Sequence, residues 1–281
     1  MKKKWIWILL PVLLFAGCAK EQNEGSKEEP LPQTKISSEP ITEETTNSLQ
    51  SSSLEDTAAV ITEVDWSDYF DGINGAAVLY NPNENMYQIY QEELANTRRS
   101  PCSTFKIISS LIGLEQEIII PDASAKTWSG EWFWNDDWNK DIDFDEAFRA
   151  SCVWYFREVI NEIGQDAMQT ELEKLQYGNC DSSDWEGRLN TNNNNRALTG
   201  FWIESSLKIS PKEQTEVMER IFGSQSAYSQ KTQEQLKQVM LSTQQEEPNL
   251  AIYGKTGMGK ANGVTVDAWF TGFAEKPSEE K

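Results

Sequence analysis

The stretch Ser103-Thr104-Phe105-Lys106, followed at once by Ile107, Ile108, Leu111, Ile112 and Leu114, constrains this chain more than any other. Residues three apart lie on one face of a helix, so the Ser103 hydroxyl and the Lys106 amine can meet. Pro101 stands where a helix can begin, and the apolar residues give that helix a face to bury. A serine hydroxyl is a poor nucleophile until a neighbouring base takes its proton. Lys106 is the candidate base, because the chain contains no histidine to compete with it.

The missing histidine excludes a Ser-His-Asp triad and a His-ligated hydrolytic zinc, and no metal site is expected. Acyl-transfer chemistry here has to run on Ser, Lys, Tyr, Cys or carboxylates. A Ser and a Lys three apart recur by chance, and a solvated lysine at a helix start is the competing reading of the pair. The net charge of −20 argues against a nucleic-acid partner, which needs a basic surface. With 38% hydrophobic residues and 11 Trp, the chain can build a real core.

Residues 1–17 read as a leader: Lys2-Lys3-Lys4 is a basic start, and Trp5 to Phe15 is an apolar run too short for a membrane span. It ends in Leu14-Phe15-Ala16-Gly17-Cys18, which resembles a bacterial lipobox. That resemblance implies cleavage before Cys18, lipid on its thiol, and an extracytoplasmic protein anchored to the cell membrane. An ordinary secretory signal with an incidental cysteine is the alternative. Residues 18–60 are mostly Ser, Thr, Glu and Pro with no sustained apolar period, the composition of a disordered acidic tether. Three cysteines remain beyond Cys18. Cys102 and Cys152 read as small packed residues, and Cys180 and any disulfide stay open.

A folded domain is expected over 61–281. Gly75 to Tyr80 and Met86 to Tyr90 read as a hairpin around the turn Asn81–Asn85. Residues 115–198 look helical and loop-like, with Trp128, Trp132, Trp134 and Trp138 read mostly as core or loop packing. Asp143 to Arg149 and Ser151 to Gly164 read as helices, and 181–199 as a surface loop. Pro211 to Phe222 is an amphipathic helix capped by Ser210, and Gln233 to Leu241 is another. Leu250 to Gly257 reads as a strand ending at a Gly-rich turn, and Val264 to Phe273 as the next strand. Strands, then helices, then strands predict an α+β fold: an antiparallel sheet assembled from both chain ends, flanked by helices, plus a mostly helical subdomain.

Two further motifs accompany Ser103 and Lys106. Ser151-Cys152-Val153 supplies a second hydroxyl, and Lys255-Thr256-Gly257 offers an ammonium, a hydroxyl and a pairing backbone to a substrate carboxylate and amide. The order S-x-x-K, S-x-V, K-T-G, at intervals of roughly fifty and a hundred residues, resembles the serine penicillin-recognising enzymes. From about Gly75 to Glu275 the chain is similar to the class D, oxacillinase-type β-lactamases. Tyr177-Gly178-Asn179, the segment Phe201-Trp202-Ile203-Glu204 through Ser210, and Trp269-Phe270-Thr271-Gly272 complete that resemblance.

The resemblance implies hydrolysis of β-lactam antibiotics through a Ser103 acyl-enzyme, and hence antibiotic resistance. It implies a Lys106 carboxylated by carbon dioxide as general base, with no other cofactor. Burial lowers a lysine pKa, and only a neutral amine takes up carbon dioxide. Trp202 and Val153 are implied to stabilise and shield the carbamate, and Ser151 to relay a proton to the leaving nitrogen with the catalytic Lys255 beside it. Thr256 and Gly257 are implied to bind substrate, and the N–H groups of Ser103 and Met258 to form the oxyanion hole. The family domain continues past the Trp269 strand with another strand, a helix and a carboxylate-binding arginine, so a C-terminally shortened domain is expected. A β-lactam sensor that acylates without turnover, a transpeptidase and an inactive remnant are the alternatives.

Overall fold

In the computed structural model, which describes residues 58–189, 194–242, 250–261 and 263–276, the chain opens with β1 (Val60–Glu63) and a helical turn, α1 (Ser67–Phe70). The leader, Cys18 and the tether through Thr57 lie outside the described residues, as does the chain beyond Lys276. The expected tether end at 60 falls one residue inside β1. β2 (Ala77–Asn81) and β3 (Met86–Tyr90) form the expected antiparallel hairpin. Its turn is held by the Asn81 side chain, which accepts from the Asn83 N–H at 3.1 Å, and by Asn85 in the left-handed region at φ 47°. A short helix, α2 (Glu92–Ala95), follows.

Pro101 leads into a tight 3₁₀ turn over Cys102–Phe105, and α3 (Lys106–Glu115) continues from it. Every residue from Lys106 to Leu114 is buried, so α3 is the central helix and not a surface one. It packs against α5 (Val153–Ile163) and α8 (Gln230–Met240). Gly113 permits the first contact, since a Cβ there would lie 2.8 Å from Ile119 and 3.3 Å from Val159. α5 faces α3 with Phe156, Val159, Ile160 and Ile163 buried; fully burying side chains of this kind stabilises by about 1.5–3 kcal/mol each. Around this pair lie α4 (Phe144–Arg149), α6 (Gln165–Lys174) and α7 (Pro211–Phe222). Ser210 caps α7 in a full capping box with Glu213, and Arg98 pairs with the same carboxylate. α8 starts three residues before its expected Gln233, because Ser229 accepts from the Thr232 N–H and caps it there.

β4 (Ala251–Ala261) and β5 (Val264–Glu275) pair antiparallel, giving the α+β character the sequence predicts. Two details differ from expectation. The strands from the two chain ends form two separate ladders among the described residues, β1-β3-β2 and β4-β5, with α7 packed against both β2 and β5. Within the first, β1 runs parallel to β3. β4 also does not stop at Gly257. It continues to Ala261, because Gly257 and Gly259 serve close approach to a neighbouring segment while their backbone stays paired with β5.

Candidate active site

The 3₁₀ turn presents Ser103 partly exposed, and the first residue of α3 places the Lys106 amine 2.9 Å from the Ser103 Oγ. Lys106 is 1% exposed, with its ammonium position 5.4 Å from the Phe156 ring centroid. Burial, and then the positive charge of Lys255, push its pKa down from 10.5 to about 7. No carboxylate stands within ion-pair distance of it among the described residues. The hydroxyl therefore faces an amine that is substantially neutral near pH 7, as a base must be.

β4 forms the facing wall. A Cβ on Gly257 would lie 3.0 Å from the Pro101 carbonyl and 3.1 Å from the Thr104 amide nitrogen; one on Gly259 would lie 3.3 Å from Cys102 Sγ. Glycine at both inward positions lets the strand lie this close to the nucleophile turn without crowding it. Along β4, Lys255, Gly257 and Gly259 alternate inward while Thr256 and Met258 are exposed. Lys255 is buried, its pKa is pushed down to about 8 by that burial, and its Nζ donates to the Thr256 carbonyl at 3.0 Å.

Trp202 holds the turn from behind. Its carbonyl accepts from the Cys102 N–H at 3.0 Å and from the Ser100 hydroxyl at 3.3 Å, and its ring stacks with Phe105 at 6.0 Å. Gly200 is required there, because a Cβ would fall 2.0 Å from the indole. The motif Tyr177-Gly178-Asn179 pins the same segment further on. Asn179 donates to the carbonyls of Lys208 and Ser206, and its side-chain oxygen accepts from the Lys208 N–H at 2.8 Å. Gly178, at φ 56°, sits where a Cβ would meet the Lys208 carbonyl.

Ser151 lies in a left-handed turn at φ 54°, and Val153, partly buried, opens α5 directly after it. The Ser151 hydroxyl has no hydrogen bond to the described residues. Lys106 lies over the ring of Phe156, on the first turn of the helix that Val153 opens, which places the S-x-V segment on the lysine's side of the site. Cys102 and Cys152 are both free and buried, as expected of packed residues, and burial pushes their thiols up to about 12 and about 11. Cys180 is also free.

Two contributors, Arg157 and Gln214, escaped the sequence reading, and a third, Glu204, was named there only as part of a motif. Arg157 is buried within α5, donates to the Trp185 carbonyl and the Glu186 carboxylate at 2.8 Å each, and lies 5.9 Å from the Trp202 ring. A charged residue on an otherwise apolar helix face was the signal. Gln214 of α7 donates to the Thr104 hydroxyl at 3.1 Å and lies within 3.4 Å of the Tyr177 hydroxyl. Glu204, at φ 51°, accepts from the Lys260 N–H at 2.6 Å and so ties the Trp202 segment to β4. Gln214 carries no local sequence signal, and the motif around Glu204 does not show that its carboxylate reaches β4.

The penicillin-binding protein transpeptidase domain model matches residues 75–281. The regulatory protein BlaR1 of Bacillus licheniformis is 33% identical over 214 residues, covering 75% of this chain. The chain spans about a third of the length of the BlaR1 relatives it matches. Among solved structures, the C-terminal domain of the Bacillus licheniformis BlaR penicillin-receptor superposes with a TM-score of 0.67 and 30% identity, covering 78% of this chain and 84% of that one. A class D β-lactamase from Sebaldella termitidis ATCC 33386 gives 0.67 and 29%, with the same coverage.

Proposed function

Because the chain belongs to the penicillin-binding protein transpeptidase domain family, we propose that it takes β-lactams as acyl donors at Ser103 and hydrolyses the ester that forms. The observation that carries this reading is the buried, carboxylate-free Lys106, whose amine lies 2.9 Å from the Ser103 hydroxyl with its pKa near 7. Ser103 Oγ attacks the lactam carbonyl, its proton passes to the base at Lys106, and the C–N bond of the ring breaks. Ser151 and Lys255 deliver a proton to the leaving nitrogen. Water then adds to the ester carbon, and the Ser103 oxygen leaves with a proton. The N–H groups of Ser103 and Met258 receive the carbonyl oxygen, and Thr256 and Gly257 hold the substrate carboxylate and amide.

The Lys106 environment also suits carboxylation: about half of the amine is neutral near pH 7, and no carboxylate among the described residues pairs with it. Carbon dioxide bound there would supply an anionic base. Trp202 and Val153 then orient and shield that base. The lipobox-like end of the leader supports a lipid on Cys18 and an extracytoplasmic, membrane-held protein. Labelling with a lipid precursor that disappears in Cys18→Ser tests that.

The likeness to a penicillin receptor favours a second reading, in which Ser103 is acylated but not released. Nitrocefin separates the two. Many turnovers per protein support hydrolysis, a burst of one equivalent supports the receptor, and an adduct that persists in Ser103→Ala refutes both.

A further inference from the structure

The loop ahead of α4 leaves Trp132 and Trp134 at 76% and 72% exposure. Indoles this open to water mark a surface that something covers in use. The position of Trp134 indicates what does. Its ring lies 5.0 Å from that of Trp138, and the Trp138 indole donates to the carbonyl of Ala150, the residue before Ser151, at 2.9 Å. The Trp154 indole donates in turn to the Trp138 carbonyl at 2.9 Å. The loop is thus fastened to the turn that carries Ser151.

On the facing wall, β4 runs past the nucleophile turn, with Gly259 against Cys102. Just beyond, the ladder shifts register: Gly259 pairs with Asp267, Lys260 with Thr265, and Val266 is the extra residue on β5. Such a bulge bends the ladder and re-aims the side chains beside it. Lys260 consequently reaches across, and its ammonium lies 5.9 Å from the centroid of the Trp134 ring. The pair joins the wall that ends at Ser151 to the wall that flanks Ser103. Lys260 has no carboxylate partner among the described residues, in a chain with 45 acidic and 25 basic side chains. Asp136 and Asp137 follow Trp134 on the loop, and the Glu204 carboxylate accepts from the Lys260 N–H, so the Lys260 ammonium is the cation that offsets these charges where the two walls meet.

We propose that Trp134 and Lys260 form a subsite at the mouth of the site for the side chain of the acyl donor, suited to an aromatic ring bearing a carboxylate. The ring stacks on the exposed indole and the carboxylate meets the ammonium. The subsite rests on the reading of Ser103 as the residue that β-lactams acylate, and holds for a hydrolase or a receptor alike.

The test measures the rate of Ser103 adduct formation by intact mass on the full chain. Its donors share one nucleus: 6-aminopenicillanic acid, which lacks the acyl side chain; benzylpenicillin, which adds the aryl group; and carbenicillin, which adds a carboxylate to that. Lys260→Met is expected to lower the carbenicillin-to-benzylpenicillin ratio roughly three- to tenfold. Trp134→Ala is expected to lower both aryl donors relative to the bare nucleus by a similar factor. Ratios cancel any general loss from an altered fold. If both variants keep ratios within about twofold of wild type, the subsite is refuted. If no donor forms an adduct with the wild-type chain, the acyl-transfer reading falls and the subsite with it.

Discussion

Replacing Lys106 with methionine should stabilise this protein, and by an amount that depends on pH in a defined way. Methionine fills much the same volume without an ammonium. In the folded chain the Lys106 pKa is lowered from 10.5 to about 7, with burial as the first cause and Lys255 as the second. The unfolded chain therefore binds a proton at Lys106 that the folded chain releases between pH 7 and 10.5, and stability rises with pH across that window. Below pH 7 both states are protonated and the folded state carries the whole penalty. At roughly 1.4 kcal/mol per pKa unit, the drop is worth about 5 kcal/mol. Lys106→Met escapes it. Its advantage over wild type should be largest and flat below pH 7, and should shrink by about 1.4 kcal/mol per pH unit toward pH 10.5. Urea unfolding of both proteins from pH 6 to 10 in carbon dioxide-free buffer measures this; groups remote from Lys106 cancel in the difference, and Lys255, the positive charge coupled to it, adds a smaller change of its own. A difference that is flat across the range, or a variant less stable than wild type at pH 6, would refute the burial argument.

Turnover should fall as pH drops below 7, because the protonated Lys106 amine cannot take up carbon dioxide, and bicarbonate should restore it; Trp202→Phe should need about tenfold more bicarbonate, for a lost hydrogen bond to a charged group. A titration in degassed buffer reads both, and indifference to bicarbonate leaves Lys106 a plain amine. Gly178→Ala should cost at least about 2 kcal/mol in urea, since φ is 56° and a Cβ would lie 1.9 Å from the Lys208 carbonyl. Ser210→Ala should lower stability by about 1 kcal/mol through loss of the α7 capping box, read as a drop in Tm.

Much of this arrangement was legible in the sequence because it is local. The S-x-x-K spacing foretold the Lys106–Ser103 contact, and Ser210 announced the start of α7. The hairpin turn was legible from its Asn-Pro-Asn composition. What was missed is long-range. The glycines of K-T-G and the residues after it read as a strand end, whereas their role is set by the turn at 101–104, some 150 residues away in the chain. The sheet was expected to be one because strand-like segments at both ends suggest pairing, but pairing partners are chosen in space. The tryptophans at 132 and 134 face water where packing is expected, because composition cannot say which of four nearby indoles stays exposed.

Cys102 and Ser151, the residues at the two hydroxyl-bearing turns, both carry side chains in a backbone region that glycine occupies freely, at φ 49° and 54°. Each such residue costs of order 1–3 kcal/mol. Glycine at either position would relieve that strain, but at Cys102 it would also empty a buried side-chain site, whereas Ser151 is only partly buried. Selection for thermal endurance alone would therefore drift toward glycine at 151, and selection for the proposed acyl transfer, which uses the Ser151 hydroxyl, would drift away from it. A laboratory lineage propagated under heat without antibiotic should give up the site at this position before it gives up the fold.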